Sequence, residues 1–329
     1  MSRNGPVRIG IIGAARVATY ALIAPAREVE RASLIAIAAR DPQRARAYAS
    51  EHGIQRVHEN YDALIADPEI ELVYVATPPA LHARIAIAAI AGGKHVLVEK
   101  PFAMSSAEAE AVARAGEAAG VCVFEAMHSR HHPLFARVRD IVESGRLGRV
   151  VRATAIFDAP IPRLATEFRW SLELGGGALM DLGVYPLAWL RGLFGDTFSV
   201  ANARAVIENS VDAEIEADLI FPGAIAARVH ASMTAARFAA TLSVEGEKGT
   251  CSITNPLVPQ LGHALALTID GATTTESVEG PSTFVAQLDA VCRSIRDHVE
   301  FPLPPRDYVR SMMAIESLRR TAAIQFPQA

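Results

Sequence analysis

The sequence predicts two domains, an α/β domain built on a parallel sheet and an α+β domain with an open, mainly antiparallel sheet. Three observations predict this class. The 329 residues suit two domains better than one. Short apolar runs alternate with stretches of helical length up to about residue 125, and apolar and acidic residues alternate strictly further on. We therefore expect one domain over 1–125 and another over 126–329, and we allow the C-terminal helix to pack back on the first.

The first domain is predicted to contain five strands, each a short apolar run. They are Val7–Ile12, Leu34–Ala38, Leu72–Ala76, His95–Val98 and Val121–Phe124. Stretches of helical length separate them, near Val17–Ala24, Pro42–His52, Ala80–Ala91 and Ala107–Ala119. Asp41 before Pro42 is typical of a helix start, and Ser105 with Glu108 matches a capping box. Strands that alternate with helices of this length form parallel βαβ units, so this half is doubly wound.

The second domain shows the pattern of antiparallel strands buried on one face. Along Val211–Phe221 every second residue is apolar, and acidic residues stand between several of them. Ile225–Met233 repeats the alternation after a Pro-Gly-Ala segment. We predict a three-residue loop that pairs Phe221 with Ile225, because a two-residue loop would put apolar side chains opposite the wrong face.

This register also sets the partners on the polar face of the hairpin. It places Asp218 opposite Arg228 and Glu216 opposite His230. The acidic row from Asp212 to Asp218 is thus compatible with a solvated face. Further strands are predicted around Thr241–Val244 and Leu265–Ile269, and a closing helix near Tyr308–Ala323.

Charge and composition argue against several classes of function. The net charge is −4 and the pI is near 6.2, so neither nucleic acid nor a membrane surface is an expected partner. No uninterrupted apolar run of about 18 residues occurs. The three cysteines, Cys122, Cys251 and Cys292, are widely spaced, which favours reduced thiols over a disulfide framework. We expect a soluble, cytoplasmic protein.

The turn after the first strand carries a dinucleotide-binding pattern. Gly13 stands at the tight turn, Ala15 replaces the middle glycine and Ala18 holds the helix-packing position. Backbone N–H groups at the start of a helix can hold a pyrophosphate. The cofactor-binding residues predicted here are Gly13, Ala14, Ala15, Arg16 and Val17. The alternative is an ordinary glycine-containing turn, but its place at the start of a βα series favours a Rossmann cofactor site.

The end of the second predicted strand bears on the choice between NAD and NADP. An acid at this point would bind the ribose 2′-hydroxyl of NAD, whereas an arginine suits the 2′-phosphate of NADP. Arg40 stands there, and Asp41 follows as the cap of the next helix or as a competitor for the ribose. The alternative for Arg40 is a solvated surface side chain. We predict NADP as the preferred cofactor, with NAD as the alternative.

Two further segments carry motifs of a known enzyme family. Tyr74–His82 contains Thr-Pro and a histidine, and Gly92–Pro101 ends in Glu-Lys-Pro. Gly175–Pro186 joins three glycines to an aspartate and a tyrosine. With the turn at Gly13–Ala18, these motifs resemble the glucose–fructose oxidoreductase/inositol dehydrogenase family in order along nearly the whole chain. The stretch Glu125–Pro133 is similar to the branch of dimeric dihydrodiol dehydrogenases and NADP-dependent aldose dehydrogenases.

The resemblance implies a catalytic set of Lys100, Asp181 and Tyr185. Lys100 would hydrogen-bond the reacting hydroxyl, Tyr185 would be the general acid/base, and Asp181 would orient the substrate or Lys100. Tyrosine gives up its proton only near pH 10, so a nearby cation would be needed. Inositol dehydrogenase-like members carry histidine where Tyr185 stands. From the residues alone, a surface lysine, a capping aspartate and a tyrosine that packs by its ring are the alternatives.

Other site residues follow from the same resemblance. The predicted cofactor contacts further along the chain are Thr77, Pro78, His82, Glu99 and Lys100. For His82, local hydrogen bonds in the first turn of a helix are an equal alternative. Arg169 and Trp170 are predicted to line the substrate pocket, with interface packing as the alternative. The histidines at 128, 131 and 132 lack supporting acidic or cysteine ligands, so no metal site is predicted.

These predictions describe an NADP-preferring oxidoreductase that moves a hydride between nicotinamide and a carbinol carbon of a sugar, polyol or cyclic diol. One alternative is oxidation of trans-dihydrodiols by the same chemistry. Another, from a different class, is a non-catalytic dinucleotide-binding sensor. The resemblance also implies a homodimer or homotetramer formed through the open sheet.

Overall fold

A computed structural model describes residues 5–324 of the chain, which form two compact units. The first unit comprises the described residues up to His128 together with Phe284–Met312. The second comprises Ser129–Thr283 and the described residues from Met313 onward.

The first unit is built on a six-stranded sheet in which all neighbouring strands are parallel. The strands are β1 (Val7–Ile12), β2 (Ala32–Ala38), β3 (Arg56–Val57), β4 (Leu72–Val75), β5 (His95–Val98) and β6 (Val123–Glu125). Their order is β3-β2-β1-β4-β5-β6. This is the doubly wound order of dinucleotide-binding domains. The predicted Rossmann class is confirmed, and only the two-residue β3 was not predicted.

Helices connect these strands. They are α1 (Arg16–Ala18), α2 (Ala24–Ala26), α3 (Pro42–His52), α4 (Tyr61–Ala66), α5 (His82–Ala91) and α6 (Ser106–Ala119). A π-helical turn, Thr19–Ile23, joins α1 to α2. Asp41 caps α3 by accepting from the Gln43 N–H at 2.8 Å, and Ser105 caps α6 by accepting from the Glu108 N–H at 3.1 Å. Both predicted caps are confirmed.

The second unit is built on an eight-stranded sheet. The strands are β7 (Val150–Asp158), β8 (Ser199–Glu208), β9 (Val211–Phe221), β10 (Ile225–Ser232), β11 (Ala239–Gly246), β12 (Gly249–Thr254), β13 (Ala264–Ile269) and β14 (Ala272–Glu276). Their order is β14-β13-β12-β11-β7-β10-β9-β8. All neighbours are antiparallel except β7 and β10. The predicted α+β domain with a mainly antiparallel sheet is confirmed.

The register of the β9–β10 hairpin follows the parity of the apolar residues. Phe221 pairs with Ile225 across a three-residue loop. Asp218 lies opposite Arg228, and Glu216 lies opposite His230. The predicted register is therefore confirmed residue by residue, because only this pairing keeps the apolar side chains of both strands on the buried face.

Asp212 departs from the acidic row in which the sequence placed it. Its side chain is fully buried, whereas Glu214, Glu216 and Asp218 remain partly exposed. The expectation of a solvated face is thus wrong at this end of the strand. The register of β8 against β9 shifts next to the Asp212 pairing position, and such irregularities change the direction in which side chains point.

Four further helices lie within the described residues. They are α7 (Pro133–Glu143), α8 (Val184–Phe194), α9 (Thr283–Asp297) and α10 (Asp307–Thr321), with a π-helical turn at Leu179–Gly183 directly before α8. Short 3₁₀ segments lie at Pro79–Leu81, His128–His131, Phe168–Trp170, Leu172–Leu174 and Pro259–Leu261. Apolar residues of α9 join the core of the first unit beside β1 and β4. No helix within 5–324 is long and apolar enough to cross a membrane.

Candidate functional site

The turn between β1 and α1 has the geometry of a dinucleotide cradle. Gly13 has a φ of 109°, and a Cβ atom there would collide with the carbonyl oxygen of Ala76. Glycine is therefore required at this position. The Gly13 N–H donates to the carbonyl of Ala38 at 2.9 Å. Gly13 therefore allows the tight turn of the backbone, and its N–H is already bonded within the protein. The following residues, up to Val17, supply the N–H groups of a helix start, which have no partner in a preceding turn.

Two side chains of α3, neither named from the sequence, hold this turn in place. A guanidinium nitrogen of Arg44 donates to the carbonyl of Ala14 at 2.8 Å. The Tyr48 hydroxyl donates to the carbonyl of Ala15 at 2.9 Å. The two residues are four apart on one helix, so their side chains share a face. That spacing predicts the shared face, but it does not identify the Gly13 turn as the partner of these side chains.

Three arginines belong to segments at this end of the sheet, namely the start of α1, the residues after β2, and α3. Arg16, Arg40 and Arg44 are all exposed, and Ile12 of β1 pairs with Ala38 of β2, two residues before Arg40. Guanidinium groups suit the doubly charged 2′-phosphate of NADP. A nicotinamide dinucleotide fits the residues present, because a glycine-shaped turn, first-turn N–H groups and cationic side chains meet at one end of the sheet.

His82 links the loops that follow β4 and β5. It is fully buried at the start of α5. Its Nε2 lies 2.7 Å from the Thr77 carbonyl oxygen, and its Nδ1 lies 2.9 Å from the Pro101 carbonyl oxygen. A neutral imidazole donates to one of these two oxygens at a time, and only the Thr77 contact is local in sequence, as the structural alternative for His82 expects. Cofactor contacts by Thr77, Pro78 and His82 stay a prediction.

Replacement of His82 by glutamine should change how stability depends on pH. Burial lowers the pKa of His82 to about 4. The unfolded chain binds a proton at this side chain below about pH 6.5 and the folded chain does not, so the free energy of unfolding falls as the pH drops from about 6.5 towards 4. Between about pH 7.5 and about pH 5, the wild type should lose about 2 kcal/mol more than His82→Gln. Urea unfolding at both pH values measures this, and equal losses would contradict it.

Glu99 and Lys100 follow β5 at the same end of the sheet. Glu99 is 7% exposed, and its carboxylate accepts from the Tyr74 hydroxyl at 2.5 Å and from the Lys100 N–H at 3.2 Å. The peptide bond between Lys100 and Pro101 is cis. Contact of Glu99 and Lys100 with the cofactor stays a prediction.

In the second unit, the glycine segment leads into the helix that carries Asp181 and Tyr185. Gly177 has a φ of 113°, and a Cβ atom there would collide with the carboxylate of Asp212. The same carboxylate accepts from the Leu179 N–H at 2.6 Å, at the first residue of the π-helical turn. Burial raises the pKa of Asp212 to about 6. Asp212 is thus a buried acceptor at the start of this helix that the sequence did not single out.

Asp181 forms a charged cluster with two residues of the preceding loop. Arg169 Nε donates to Asp181 at 2.5 Å, and Arg169 Nη1 donates to Glu167 at 2.8 Å. All three side chains are largely buried. Burial alone would lower the pKa of Arg169, but the two carboxylates raise it overall. Sequence reasoning named Arg169 and Asp181 separately and did not pair them.

Tyr185 lies in an aromatic cluster of the second unit. It is 5% exposed, and its ring centroid lies 5.6 Å from that of Phe157 and 6.4 Å from that of Trp189. Phe157 in turn contacts Phe238, which is half-exposed. Packing therefore holds the ring of Tyr185, as in the alternative interpretation of a tyrosine that packs by its ring. This packing is compatible with a chemical role of the Tyr185 hydroxyl.

The remaining predicted residues have defined surroundings. Trp170 is partly exposed, donates from Nε1 to the Pro162 carbonyl at 3.2 Å and stacks beneath the Arg163 guanidinium at 4.9 Å. His128 stacks on Phe284 in the first unit. In the second unit, His132 Nδ1 accepts from the Leu134 N–H. Among residues 5–324, no three His, Cys, Asp or Glu side chains form a metal-binding group.

Comparisons with known proteins agree with these features. Residues 7–127 match the model of an oxidoreductase family with an NAD-binding Rossmann fold, and residues 135–252 match the C-terminal domain of the same GFO/IDH/MocA family. The chain is 31% identical to a D-xylose 1-dehydrogenase (NADP(+)) of Haloferax volcanii, covering 95% of this chain and 96% of that one. It is also 31% identical to a trans-1,2-dihydrobenzene-1,2-diol dehydrogenase of Macaca fascicularis, covering 77% and 75%.

A solved structure extends the match to three dimensions. The chain superimposes on an aldose-aldose oxidoreductase from Caulobacter crescentus with a TM-score of 0.88 and 27% identity, covering 97% of this chain and 98% of that one. Sequence relatives and fold therefore agree with the motifs and with the cradle around Gly13. The chain belongs to the GFO/IDH/MocA oxidoreductases, the glucose–fructose oxidoreductase/inositol dehydrogenase family that its motifs predicted.

Proposed function

We propose that this oxidoreductase prefers NADP and acts on a carbinol carbon of an uncharged sugar, polyol or cyclic diol. The observation that carries the cofactor preference is the group of three arginines, Arg16, Arg40 and Arg44, in segments at the same end of the sheet as the Gly13 turn. The substrate class is supported by the names of relatives that cover most of the chain, among them an NADP-dependent xylose dehydrogenase. We also expect a cytoplasmic homo-oligomer.

The chain's own residues have separate tasks in this reaction. When bound, the nicotinamide ring supplies the hydride acceptor or donor. We assign the proton transfer to the side-chain oxygen of Tyr185, which as phenolate accepts the proton of the hydroxyl in oxidation and as phenol donates it in reduction. We assign Lys100 as the cation that stabilises the substrate oxygen as its proton leaves. Asp181 serves as a positioning residue, because its carboxylate already accepts from Arg169. Arg169, which the sequence predicts to line the substrate pocket, then acts through its ion pair with Asp181.

The charged cluster favours a neutral substrate. Two carboxylates, Asp181 and Glu167, share one guanidinium, that of Arg169, so the cluster carries a formal charge of about −1. Arg169 therefore has no spare charge for a phosphate or carboxylate of the substrate. An uncharged ring with hydroxyl groups fits these surroundings better than a sugar phosphate.

Trans-dihydrodiols are the second candidate substrate class. The observation that favours them is the row of rings formed by Tyr185, Phe157 and Phe238, since Phe238 presents an apolar surface that is 49% exposed. Turnover of a panel of aldoses, polyols and trans-dihydrodiols separates the two classes. A value of kcat/KM that is at least tenfold higher for one class identifies it.

Replacement of Arg40 by alanine should remove the preference for NADPH. We expect the wild type to bind NADPH at least about tenfold more tightly than NADH, because a guanidinium pairs with the 2′-phosphate. Arg40→Ala should lose about 1.4 kcal/mol or more of the binding free energy for NADPH and little of that for NADH. Fluorescence titration with both nucleotides measures the four dissociation constants.

The matched control is Arg46→Ala, which removes an exposed arginine from α3, six positions further along the chain, and is not a residue that we place at the cofactor. It should leave both affinities within about twofold of the wild type. If the two variants weaken NADPH equally, the effect is one of general charge, and the assignment of Arg40 fails. If neither nucleotide binds the wild type, the alanine at position 15 has disabled the cradle and the protein is not an NADP enzyme.

A further inference from the structure

The buried pair formed by Tyr74 and Glu99 is not part of the reaction proposed above. Tyr74 lies in β4 and is fully buried, and Glu99 directly follows β5. Their strands are neighbours, with Tyr74 paired to Leu97. The Tyr74 hydroxyl donates to Glu99 Oε1 at 2.5 Å. A hydrogen bond this short to a carboxylate is of the strong, charge-assisted kind.

The other oxygen of the same carboxylate contacts the backbone of the proposed catalytic lysine. Glu99 Oε2 accepts from the N–H of Lys100 at 3.2 Å. The chain beyond Lys100 is held as well, because the Pro101 carbonyl oxygen lies 2.9 Å from His82 Nδ1. The Glu99 carboxylate, itself bonded to Tyr74 of β4, therefore contacts the backbone before the Lys100 side chain, and the His82 ring of α5 contacts the backbone after it.

We propose that Tyr74 is a positioning residue for Lys100, acting through the carboxylate of Glu99. The Tyr74 hydroxyl sets the orientation of the carboxylate, and the carboxylate sets the position of the Lys100 N–H. Burial raises the pKa of Tyr74 well above 10 and the charge of Glu99 raises it further, so the phenol keeps its proton and stays a donor at neutral pH. Under this proposal Glu99 acts within the protein, and its contact with the cofactor stays a prediction that NADPH titration of Glu99→Gln tests.

Hydrogen exchange tests this proposal on the protein without cofactor or substrate. Tyr74→Phe keeps the ring and removes only the hydroxyl, so the fold should persist. In this variant the peptide that contains Lys100 should exchange about tenfold faster, while peptides of α3 are unchanged. Tyr308→Phe is the matched control, because it also removes a buried phenol oxygen from the first unit and keeps the ring, which stacks on Phe102 close to Lys100. It should leave exchange at Lys100 as in the wild type.

Turnover gives a second readout, which rests on the proposed function. Tyr74→Phe should lower kcat about tenfold and leave KM and NADPH affinity within about twofold. Glu99→Gln should do the same, and the double variant should be no worse than the poorer single variant, since both changes break one connection. Additive losses, or unchanged exchange at Lys100 in Tyr74→Phe, would overturn the proposal. So would a loss of NADPH affinity confined to Glu99→Gln, which would make Glu99 a direct cofactor contact.

The two hypotheses can fail separately. If the wild type turns over no aldose, polyol or diol, the proposed function fails, and the exchange experiment alone then decides whether Tyr74 and Glu99 position Lys100.

Discussion

Lys100→Ala should lower kcat by at least about a hundredfold while NADPH still binds within about threefold of the wild type. The expected size follows from the loss of the cation that stabilises the oxygen of the reacting hydroxyl, since removal of one such group commonly costs 10²–10³ in rate. The affinity for NADPH should persist, because the Gly13 turn and its arginines are unchanged. Stopped-flow measurement of hydride transfer, together with fluorescence titration, separates the two quantities.

Lys94→Met is the matched control for this experiment. Lys94 is a buried lysine of the same unit, and its Nζ donates to the carbonyls of Asp67 at 2.6 Å and Ile70 at 2.8 Å. Burial lowers the pKa of Lys94, and its role is structural. Lys94→Met should lower the free energy of unfolding by about 2 kcal/mol and leave kcat of the folded enzyme within about twofold. If Lys100→Ala shows this pattern instead, Lys100 is a structural residue as well.

Tyr185→Phe should have the second large effect, a fall in kcat of about a hundredfold or more. Loss of a positioned general acid or base costs 10²–10⁴ in rate. The fold should be intact, because packing of the ring against Phe157 and Trp189 does not depend on the hydroxyl. Circular dichroism and thermal unfolding verify the fold, and initial rates over a range of pH values measure the loss.

The pH profile separates the two roles that Tyr185 can have. If its hydroxyl transfers the proton, the limb of the kcat profile that reports this group should disappear in Tyr185→Phe. Tyr308→Phe should retain both the rate and the limb. A Tyr185→Phe enzyme with wild-type kcat would show that this tyrosine only packs by its ring, and the assignment of the proton would pass to Lys100.

Local patterns in the sequence were sufficient to predict much of the fold. The β9–β10 register followed from parity alone, because a shift by one residue would have exposed the apolar face of both strands. The caps of α3 and α6 followed from side chains that act within three residues of their own position. The doubly wound sheet followed from the alternation of strands and helices. In each case the pattern that predicts the structure lies within a short stretch of the sequence or repeats along it.

The features that the sequence did not reveal depend on contacts between distant residues. In the sequence, Tyr74 is one apolar residue of a predicted strand. Its partner Glu99 is 25 positions further along the chain, and only the folded sheet brings the two side chains together. Asp212 belongs to an alternating acidic row, and its burial depends on the N–H of Leu179, 33 positions earlier. The contacts of Arg44 and Tyr48 with the Gly13 turn join residues that are 30 and 33 positions apart. A pattern within one strand or helix carries no information about such partners.

The most direct test of the account is transfer of deuterium from a substrate carbon to the cofactor. The purified protein is incubated with NADP and aldoses or diols deuterated at the carbinol carbon, and the NADPH formed is analysed by mass spectrometry. We predict NADPH that carries one deuterium with at least one substrate, and none of it with Lys100→Ala or Tyr185→Phe on the same time scale. If the wild type binds NADPH but no deuterium reaches it from any aldose, polyol or diol, the protein is a dinucleotide-binding sensor and not a carbinol dehydrogenase.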